Sequence, residues 1–427
     1  MSTNTKAFIG IDAGTTGCTV MIFDEKGNAL GHGYKEYPSE SPYAGWGEQS
    51  LEKVWDGICV ASKQATSQAN LPDDAYVSVG FSSQRGTLCL LDKDKKPLQD
   101  SILWYCTRAR DYPEIFGQHI TPEEYQEHTG MQLSPLWVAA KIAWLRDNKP
   151  DTFEKTAWFA NGQEYFLYLL GADRWETDPA SLTLNGMMDI RKLDWSDRVL
   201  EMCGISRDRV PPVGPPSGMV GKVSKQASEA TGIPEGVILC RGAGDQQCAA
   251  IGAGVIRQGM AEFTVGTAGV MVAHLDSVDR IKGKNLWWGG HGVPNAWDIE
   301  GGAFCLGASL KWWRDNLGLD EVQEAESRNT SPYSVMVDKA QESPAGARGL
   351  LFHSFLASQV TPYYDADSRG GLIGLGNYHT RVDLVRALLE GCAHEMKMVV
   401  DAFQSDIDGG ISTLRLTGGG TKSAGFS

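Results

Sequence analysis

Two distant segments of the chain share one pattern: an apolar strand, a turn of glycine and threonine, and a second apolar strand. The first reads "IGIDAGTTGCTVMIF" at residues 9–23, and the second reads "AEFTVGTAGVMVAHLD" at residues 261–276. Glycine lets backbone N–H groups approach an anion closely and threonine hydroxyls add donors, so two such turns facing each other can grip a polyphosphate. A pair of ordinary hairpins is the alternative. The recurrence favours two similar halves, each with a phosphate-binding turn.

The periodicity of apolar residues predicts a mixed α/β fold. We expect a meander of three short strands, a helix that begins near Ser50, and further alternating elements. The predicted strands are 7–12, 18–23, 29–34, 76–83 and 236–241, and the later helices are 133–148, 163–170, 196–203 and 225–231. Strands and helices mixed in this way indicate an α/β architecture.

Composition excludes several classes of partner. The 427 residues are 42% hydrophobic, enough for about two or three domains. The formal charge of −14 disfavours nucleic acid. Nine scattered cysteines without a Cys-x-x-Cys motif argue against a disulfide framework and a zinc site. No signal peptide and no apolar run near ~18 residues is found. We therefore expect a cytoplasmic protein with no nucleic-acid or membrane partner.

Six motifs, in this order along the chain, resemble the FGGY carbohydrate kinase family. They are "IGIDAGTTG", "KIAWLRDN" at 141–148, "CRGAGDQQ" at 240–247, "FTVGTAGV" at 263–270, "GGLIGLGNYHTRVDLVRALLEG" at 370–391 and "LTGGGTKS" at 416–423. The resemblance implies two ribonuclease-H-like (actin-like ATPase) lobes around a central cleft. Residues 1–252 would bind the sugar and supply the catalytic base, and residues 253–427 would bind the nucleotide, with the join near 250–258.

The resemblance also implies ATP and Mg²⁺ as cofactors. Asp12, together with Asp245, would hold the metal, because Mg²⁺ prefers oxygen ligands. An Asp12 that bonds its own turn is the alternative reading. The residues predicted to bind ATP are Gly14, Thr15, Thr16, Gly266, Thr267, Gly307, Gly418, Gly419 and Gly420.

Asp245 is the candidate general base. Transfer of a γ-phosphoryl group to a hydroxyl usually requires a carboxylate that accepts the hydroxyl proton. Asp245 follows an apolar strand through the flexible run Gly242-Ala-Gly244, and the family places its catalytic aspartate in this motif. The alternative is a turn aspartate that caps a helix beginning near Gln246, and both roles can coexist.

The predicted sugar-binding residues are Gln84, Arg85, Trp104 and Glu164, with Asp245 beside them. Gln84-Arg85 ends a strand, although a solvated loop is the alternative. The chain departs from the family's usual patterns after Gln84, after Trp104 and at Glu164, where the family commonly has aspartate. We expect an open-chain ketose such as xylulose, and autoinducer-2 kinase and glycerol kinase activities are the alternatives within the family.

Two other classes of function stay open. One is a nucleotide-binding sensor without kinase activity, and the other is an actin-like assembly ATPase. Family members typically continue beyond the last glycine motif, so we expect a shortened nucleotide lobe, and a homodimer stays open. We also expect Trp312 and Trp313 to pack in the core of an amphipathic helix.

Overall fold

The computed structural model describes residues 5–365 and 367–422 and divides into two compact units. Unit 1 contains residues 1–251 and 288–297, and unit 2 contains residues 252–287 and 298–427. Ser423, the last residue of the final predicted motif, lies outside the described residues. Both units contain a sheet and helices, which confirms the predicted α/β class with two lobes. The predicted cleft stays a prediction.

The strands are β1 Ala7–Ala13, β2 Gly17–Asp24, β3 Ala29–Glu36, β4 Glu48–Gln49, β5 Tyr76–Ser83, β6 Cys89–Leu91, β7 Ser101–Ile102, β8 Trp158–Ala160, β9 Met188–Asp189, β10 Asp194–Trp195, β11 Met219–Lys222, β12 Ile238–Gly244, β13 Met260–Val265, β14 Gly269–Leu275, β15 Trp287–Gly290, β16 Trp297–Ala303, β17 Leu351–His353, β18 Gly371–Ile373 and β19 Thr413–Thr417. The helices are α1 Leu51–Ala69, α2 Tyr112–Gly117, α3 Pro122–Thr129, α4 Val138–Asn148, α5 Pro150–Lys155, α6 Gly162–Leu170, α7 Pro179–Leu182, α8 Asp197–Cys203, α9 Lys225–Thr231, α10 Asp245–Gly252, α11 Leu306–Asn316, α12 Leu319–Arg328, α13 Pro332–Ala340 and α14 Arg381–Asp406.

The main sheet of unit 1 has the strand order β11-β12-β5-β1-β2-β3. Strands β1, β2 and β3 form the predicted antiparallel meander, whereas β5 runs parallel to both β1 and β12. Parallel strands end at the same edge of a sheet, where open α/β folds bind their ligands. The ends of β1, β5 and β12 therefore bring Asp12, Gln84 and Asp245 to one edge.

Helix α1 covers one face of this sheet. It begins near Ser50, as predicted: Ser50 is its N-cap, and the Ser50 side chain accepts a hydrogen bond from the backbone N–H of Lys53. Val54 and Ile58 on its apolar side are buried in the core. A Cβ atom at Gly33 would lie 1.9 Å from the carbonyl oxygen of Ala61, so glycine in β3 permits the close contact between strand and helix.

The sheet of unit 2 repeats the arrangement of unit 1, an antiparallel hairpin with a parallel strand beside it. Strands β13 and β14 form an antiparallel hairpin, and β19 runs parallel to β13. The ends of β13 and β19 therefore place Gly266 and Gly418 at one edge. The long helix α14 begins with a capping box between Thr380 and Asp383, whose buried carboxyl also accepts a hydrogen bond from a serine hydroxyl.

Three expectations about elements need correction. Helix α4 begins at Val138 rather than at residue 133, and β12 continues to Gly244, so that Asp245 is the first residue of α10. Trp313 is 3% exposed, as predicted, but Trp312 is 39% exposed, because α11 buries one side only. Among the described residues, no helix is long and apolar enough to span a bilayer.

Candidate active site

Asp12 lies at the end of β1, beside the end of β5. The hydroxyl of Ser82 donates a 2.7 Å hydrogen bond to Oδ1 of Asp12. The side chain reaches solvent, but burial by the surrounding protein raises the pKa of the Asp12 carboxyl, and the Ser82 hydrogen bond opposes that rise. The bond to Ser82 shows that Asp12 is held by the neighbouring strand and not by its own turn.

A network of hydrogen bonds surrounds the first Gly-Thr turn. Thr15 Oγ1 donates to Gln84 Oε1 at 2.8 Å and accepts from Trp104 Nε1 at 3.0 Å. Gln49 links Gln84 to the backbone of the turn. Its Oε1 accepts from Gln84 Nε2 at 2.9 Å, and its Nε2 donates to the Thr15 carbonyl at 2.8 Å. The structure thus brings together the predicted residues Thr15, Gln84 and Trp104, and it adds Gln49, which no local sequence signal marks.

This network changes the expectation for the threonine hydroxyl. The Thr15 proton is already donated to Gln84, so it is not available to a phosphate in this arrangement. Within the described part of the chain, no protein acceptor binds the backbone N–H groups of Thr15 and Thr16, whereas the Gly14 N–H donates to the Gly17 carbonyl. The turn therefore offers an anion its backbone N–H groups rather than the Thr15 hydroxyl.

Asp245 stands at the start of α10, half-buried, with its Oδ1 3.6 Å from Nε of Arg85. Oδ1 also accepts from the backbone N–H of the next residue, Gln246, at 2.9 Å. The predicted cap stays a prediction, because Asp245 is itself the first residue of α10 and this bond reaches only its neighbour. Arg85 is 4% exposed, and a Cβ atom at Gly244 would lie 2.1 Å from its Cδ. Glycine at this position therefore makes room for Arg85 next to the carboxylate. The solvated-loop reading of Arg85 is wrong.

The pairing between β5 and β12 shifts register just before Asp245. A Cβ atom at Gly242 would lie 1.7 Å from the Phe81 carbonyl oxygen, so the two backbones are in close contact there. Gln163, fully buried on α6, donates its amide N–H groups to the carbonyls of Phe81 and Ala243 at 3.3 and 3.4 Å. The glycines of the run Gly242-Ala-Gly244 thus permit the close backbone contact and the register shift at the end of β12, which set the position of Asp245.

Glu164 does not join this group. It is 2% exposed, and its carboxylate accepts from the backbone N–H of Asn161 at 2.9 Å and from Asn161 Nδ2 at 3.1 Å, forming a capping box at the start of α6. Burial raises the pKa of the Glu164 carboxyl. The structure therefore contradicts the expected sugar contact, because the longer side chain folds back onto its own helix terminus.

A buried lysine lies behind the loops of this edge. Lys141 on α4 is fully buried, and its Nζ donates to the carbonyls of Gly86, Leu103 and Trp104 at 2.9–3.1 Å. Burial lowers the pKa of Lys141 to about 7. The sequence motif at 141–148 marks this helix but does not indicate which groups the lysine would contact.

The second Gly-Thr turn is supported by the start of α11. The N–H groups of Gly307 and Ala308 donate to the carbonyls of Gly266 and Thr267 at 3.0 and 2.9 Å. A Cβ atom at Gly307 would lie 2.5 Å from the Gly266 carbonyl oxygen. Gly307 therefore sets the position of the turn as well as facing the cavity beside it.

That cavity, of 430 Å³, lies within unit 2 and is lined by two kinds of residue. Small residues with little or no side chain, Gly266, Thr267, Gly307, Gly419 and Gly420, line it together with the larger residues Leu310, Tyr333, Met336 and Leu389. Among the final glycines, Gly419 faces open space, whereas a Cβ atom at Gly418 or Gly420 would lie 2.5–2.6 Å from Val265 atoms. A polar cradle beside an apolar pocket suits a phosphorylated ring ligand.

The described residues contain no group of three or more His, Cys, Asp or Glu side chains placed to hold a metal ion. Mg²⁺ does not require one, because it keeps several waters and is usually bound through one or two carboxylates together with substrate phosphates. Asp12 and Asp245, at one sheet edge, match this donor set.

Comparison with protein families accounts for nearly the whole chain. The model of the FGGY family of carbohydrate kinases, N-terminal domain, matches residues 7–252, and the C-terminal domain model matches residues 261–427.

The relatives and solved structures that resemble this chain are carbohydrate and glycerol kinases, in agreement with the family match. The chain is 27% identical to a gluconokinase of Bacillus subtilis (98% of this chain, 81% of the relative) and 28% identical to a xylulose kinase of the same organism with the same coverage. It is 30% identical to a glycerol kinase of Thermococcus kodakarensis (97% and 81%). Its fold matches the xylulose kinase structure from Rhodospirillum rubrum with a TM-score of 0.89 at 24% identity (99% and 83%). The chain belongs to the FGGY family of carbohydrate kinases, ATP-dependent phosphotransferases that act on sugar hydroxyls.

Proposed function

We propose that this kinase phosphorylates an open-chain ketose such as xylulose at a terminal primary hydroxyl, with residues 1–252 binding the sugar and residues 253–427 binding ATP. The observation that carries the proposal is the convergence of Asp12, Gln84-Arg85 and Asp245 at the ends of three parallel strands. Relatives named as xylulose, glycerol and gluconate kinases support the class of acceptor.

Asp245 serves as the general base in this proposal. Its carboxylate accepts the proton of the sugar hydroxyl as the oxygen attacks the γ-phosphorus and the bond to the β-phosphate oxygen breaks. Arg85 keeps the carboxylate in place through the 3.6 Å contact. Half-burial leaves Asp245 accessible to a substrate, whereas Arg85 is shielded.

The sugar is recognised by the network around Gln84 and Trp104. A neutral sugar needs both donors and acceptors, and Arg85 offers donors only. Because Glu164 is occupied by its helix cap, the Asp245 carboxylate and the amide oxygen of half-buried Gln84 serve as acceptors for the sugar, whereas Gln49 is buried and supports Gln84 from behind. The Trp104 ring, 36% exposed, supplies a flat apolar surface for the carbon chain.

ATP occupies the cavity of unit 2, with its adenosine against the larger lining residues. Gly266, Thr267 and Gly307 contact the phosphates, and Gly418, Gly419 and Gly420 shape the adenosine side. In unit 1, the turn Gly14-Thr15-Thr16 offers a phosphate the backbone N–H groups of Thr15 and Thr16, because the Gly14 N–H already donates to the Gly17 carbonyl. Asp12 and Asp245 would hold Mg²⁺, which when bound neutralises charge that develops on the phosphates.

A panel of acceptors tests the proposal. Xylulose, ribulose, gluconate, glycerol and a hydroxylated dione of the autoinducer-2 type are offered in parallel with Mg-ATP, and ADP release is followed with a coupled assay. The proposal expects the highest kcat/KM with a ketose. Glycerol is the second candidate, favoured by the 30% identical relative, and a preference for glycerol would overturn the ketose assignment alone. ATP binding without phosphorylation of any acceptor would support the sensor function instead.

A further inference from the structure

The fully buried amine of Lys141 has no role in the function proposed above. Three hydrogen bonds join Nζ to the backbone carbonyls of Gly86, Leu103 and Trp104. These carbonyls belong to two loops, one after β5 and one after β7, with the short strands β6 and β7 between them in the chain. An ammonium group has three N–H bonds, and here each meets one carbonyl.

Both loops carry residues of the proposed sugar site. Gly86 follows Arg85 directly, and Trp104 donates its indole N–H to Thr15 Oγ1 at 3.0 Å. The two loops also touch, because a Cβ atom at Gly86, whose φ is +67°, would lie 3.3 Å from the Trp104 Cβ. Lys141 therefore fixes the backbone of the two loops at the places where their side chains turn toward the Thr15 network.

The charged groups around Lys141 are engaged elsewhere. Arg108 opposes the charge of Lys141, but its Nη2 is bound to Glu48 Oε1 at 2.6 Å and its guanidinium lies 4.0 Å from the centre of the Trp46 ring. Cys106 is buried, and its Sγ accepts a hydrogen bond from Nε of Arg108 at 3.1 Å. Backbone carbonyls are thus the hydrogen-bond partners of Nζ.

We propose that Lys141 is a positioning residue for sugar recognition, which ties the loop bearing Arg85 to the loop bearing Trp104 and so holds the indole against Thr15. The expected effect on the sugar KM rests on the proposed function. The placement of Trp104 by Lys141 is independent of that function. Loss of the amine would release both loops while leaving the nucleotide cavity of unit 2 unchanged.

The kinetic test uses Lys141→Met in the full chain with the best acceptor of the panel. The KM for the sugar is expected to rise about tenfold, the KM for ATP to stay within about twofold, and kcat to change less than the sugar KM. Lys141→Gln, which retains two N–H donors on a shorter side chain, should lie between wild type and Lys141→Met, and it serves if the methionine variant does not fold.

Ile142→Ala is the matched control, because Ile142 is fully buried on the same helix and cannot bond the carbonyls. It should lower the melting temperature without changing the sugar KM. An equal rise of the sugar KM in Ile142→Ala would show a general packing effect and would overturn the inference, as would an unchanged sugar KM in Lys141→Met.

A spectroscopic test needs no substrate. The indole ¹⁵N–¹H resonance of Trp104, assigned by its loss in Trp104→Phe, should shift in Lys141→Met and keep its position in Ile142→Ala. An unshifted resonance in Lys141→Met would refute the positioning role. If wild type phosphorylates no acceptor, the proposed function fails, while this measurement still decides whether Lys141 positions Trp104.

Discussion

At the scale of single residues, Asp245 combines the two features that a general base needs, partial exposure and a defined orientation. Its contact with Arg85 and the shift of register before it set the carboxylate at the sheet edge. These features arise from the glycines at 242 and 244, which permit close contacts that any side chain would block. The mechanism therefore depends on backbone geometry as much as on the acid itself.

Replacement of Asp245 by asparagine should reduce kcat about 10²–10⁴-fold, because the amide cannot accept the hydroxyl proton. The isosteric change also keeps a polar partner for buried Arg85. Steady-state kinetics and ATP titration check this expectation, and nucleotide affinity should change little. Glu229→Gln, at an exposed position on α9, is the control and should leave kcat unchanged. Near-normal turnover of Asp245→Asn would remove Asp245 from the mechanism.

The titration of Lys141 predicts a pH dependence of stability. Its folded pKa of about 7 lies below the ordinary value of 10.5, so between these values the unfolded chain binds more protons. Stability conferred by position 141 should therefore increase as the pH rises from 7 toward 10, and the cost of the buried charge should be fully present below pH 7.

Urea unfolding of wild type and Lys141→Met at pH 7, 8 and 9 measures this effect. The difference in unfolding free energy between the two proteins should move in favour of wild type as the pH rises. A difference that is independent of pH would show that the amine stays charged throughout, held by its three carbonyl acceptors.

At the scale of elements, helix termini determine which side chains are available for function. The capping box of α6 uses both oxygens of Glu164, so a residue that lies at a family sugar-binding position becomes part of the scaffold. The start of α11 similarly uses the N–H of Gly307 to support the second Gly-Thr turn.

Glu164→Gln should therefore lower the free energy of unfolding by about 1–3 kcal/mol, because one amide hydrogen would face the donors of Asn161. The sugar KM should stay close to that of wild type. Thermal denaturation and kinetics test both parts, and Glu154→Gln on the exposed side of α5 is the control. A large rise in sugar KM at unchanged stability would restore the substrate-binding role.

Gly307→Ala should weaken ATP binding about tenfold, because the new methyl group would collide with the Gly266 carbonyl and displace the turn. The KM for the sugar should not change in parallel. Isothermal titration with ATP is the measurement. Gly371→Ala, at a glycine of the same unit with open space around its Cβ position, should bind ATP as wild type does.

At the scale of the whole molecule, each unit places its ligand groups by the same rule, although their sequences differ. Parallel strands end at a common edge, and a glycine-rich turn follows the strand. Thr264 occupies in β13 the position that Asp12 occupies in β1, and its hydroxyl donates to Glu262 at 2.6 Å. The same strand arrangement therefore presents a carboxylate in unit 1 and a hydroxyl in unit 2 at equivalent positions.

Hydrogen exchange should separate the two binding functions. A non-hydrolysable ATP analogue is expected to protect amides in 263–270 and 416–420, and the sugar is expected to protect amides in 82–86. Peptides from α9, on the surface of unit 1, provide the reference that neither ligand should change. Protection of 263–270 by the sugar alone would contradict the assignment of nucleotide binding to unit 2.

The sequence by itself determined the meander, the two Gly-Thr turns, the glycine run before Asp245 and the family, because each depends on residues close together in the chain. Apolar alternation and glycine placement are local properties, and they predicted β1, β2, α1 and α9 closely.

Only the tertiary structure decided which polar groups are free to act. Thr15 meets Gln84 and Trp104, and Lys141 meets the carbonyls of two loops 37 to 55 residues before it, only after the sheet and α4 have packed. Whether a hydroxyl, carboxylate or amine faces a ligand depends on which partners folding brings within hydrogen-bond distance, and buried polar groups take the partners that are nearest. A motif specifies the type of side chain, whereas the fold determines whether that side chain is already hydrogen-bonded to other groups of the protein.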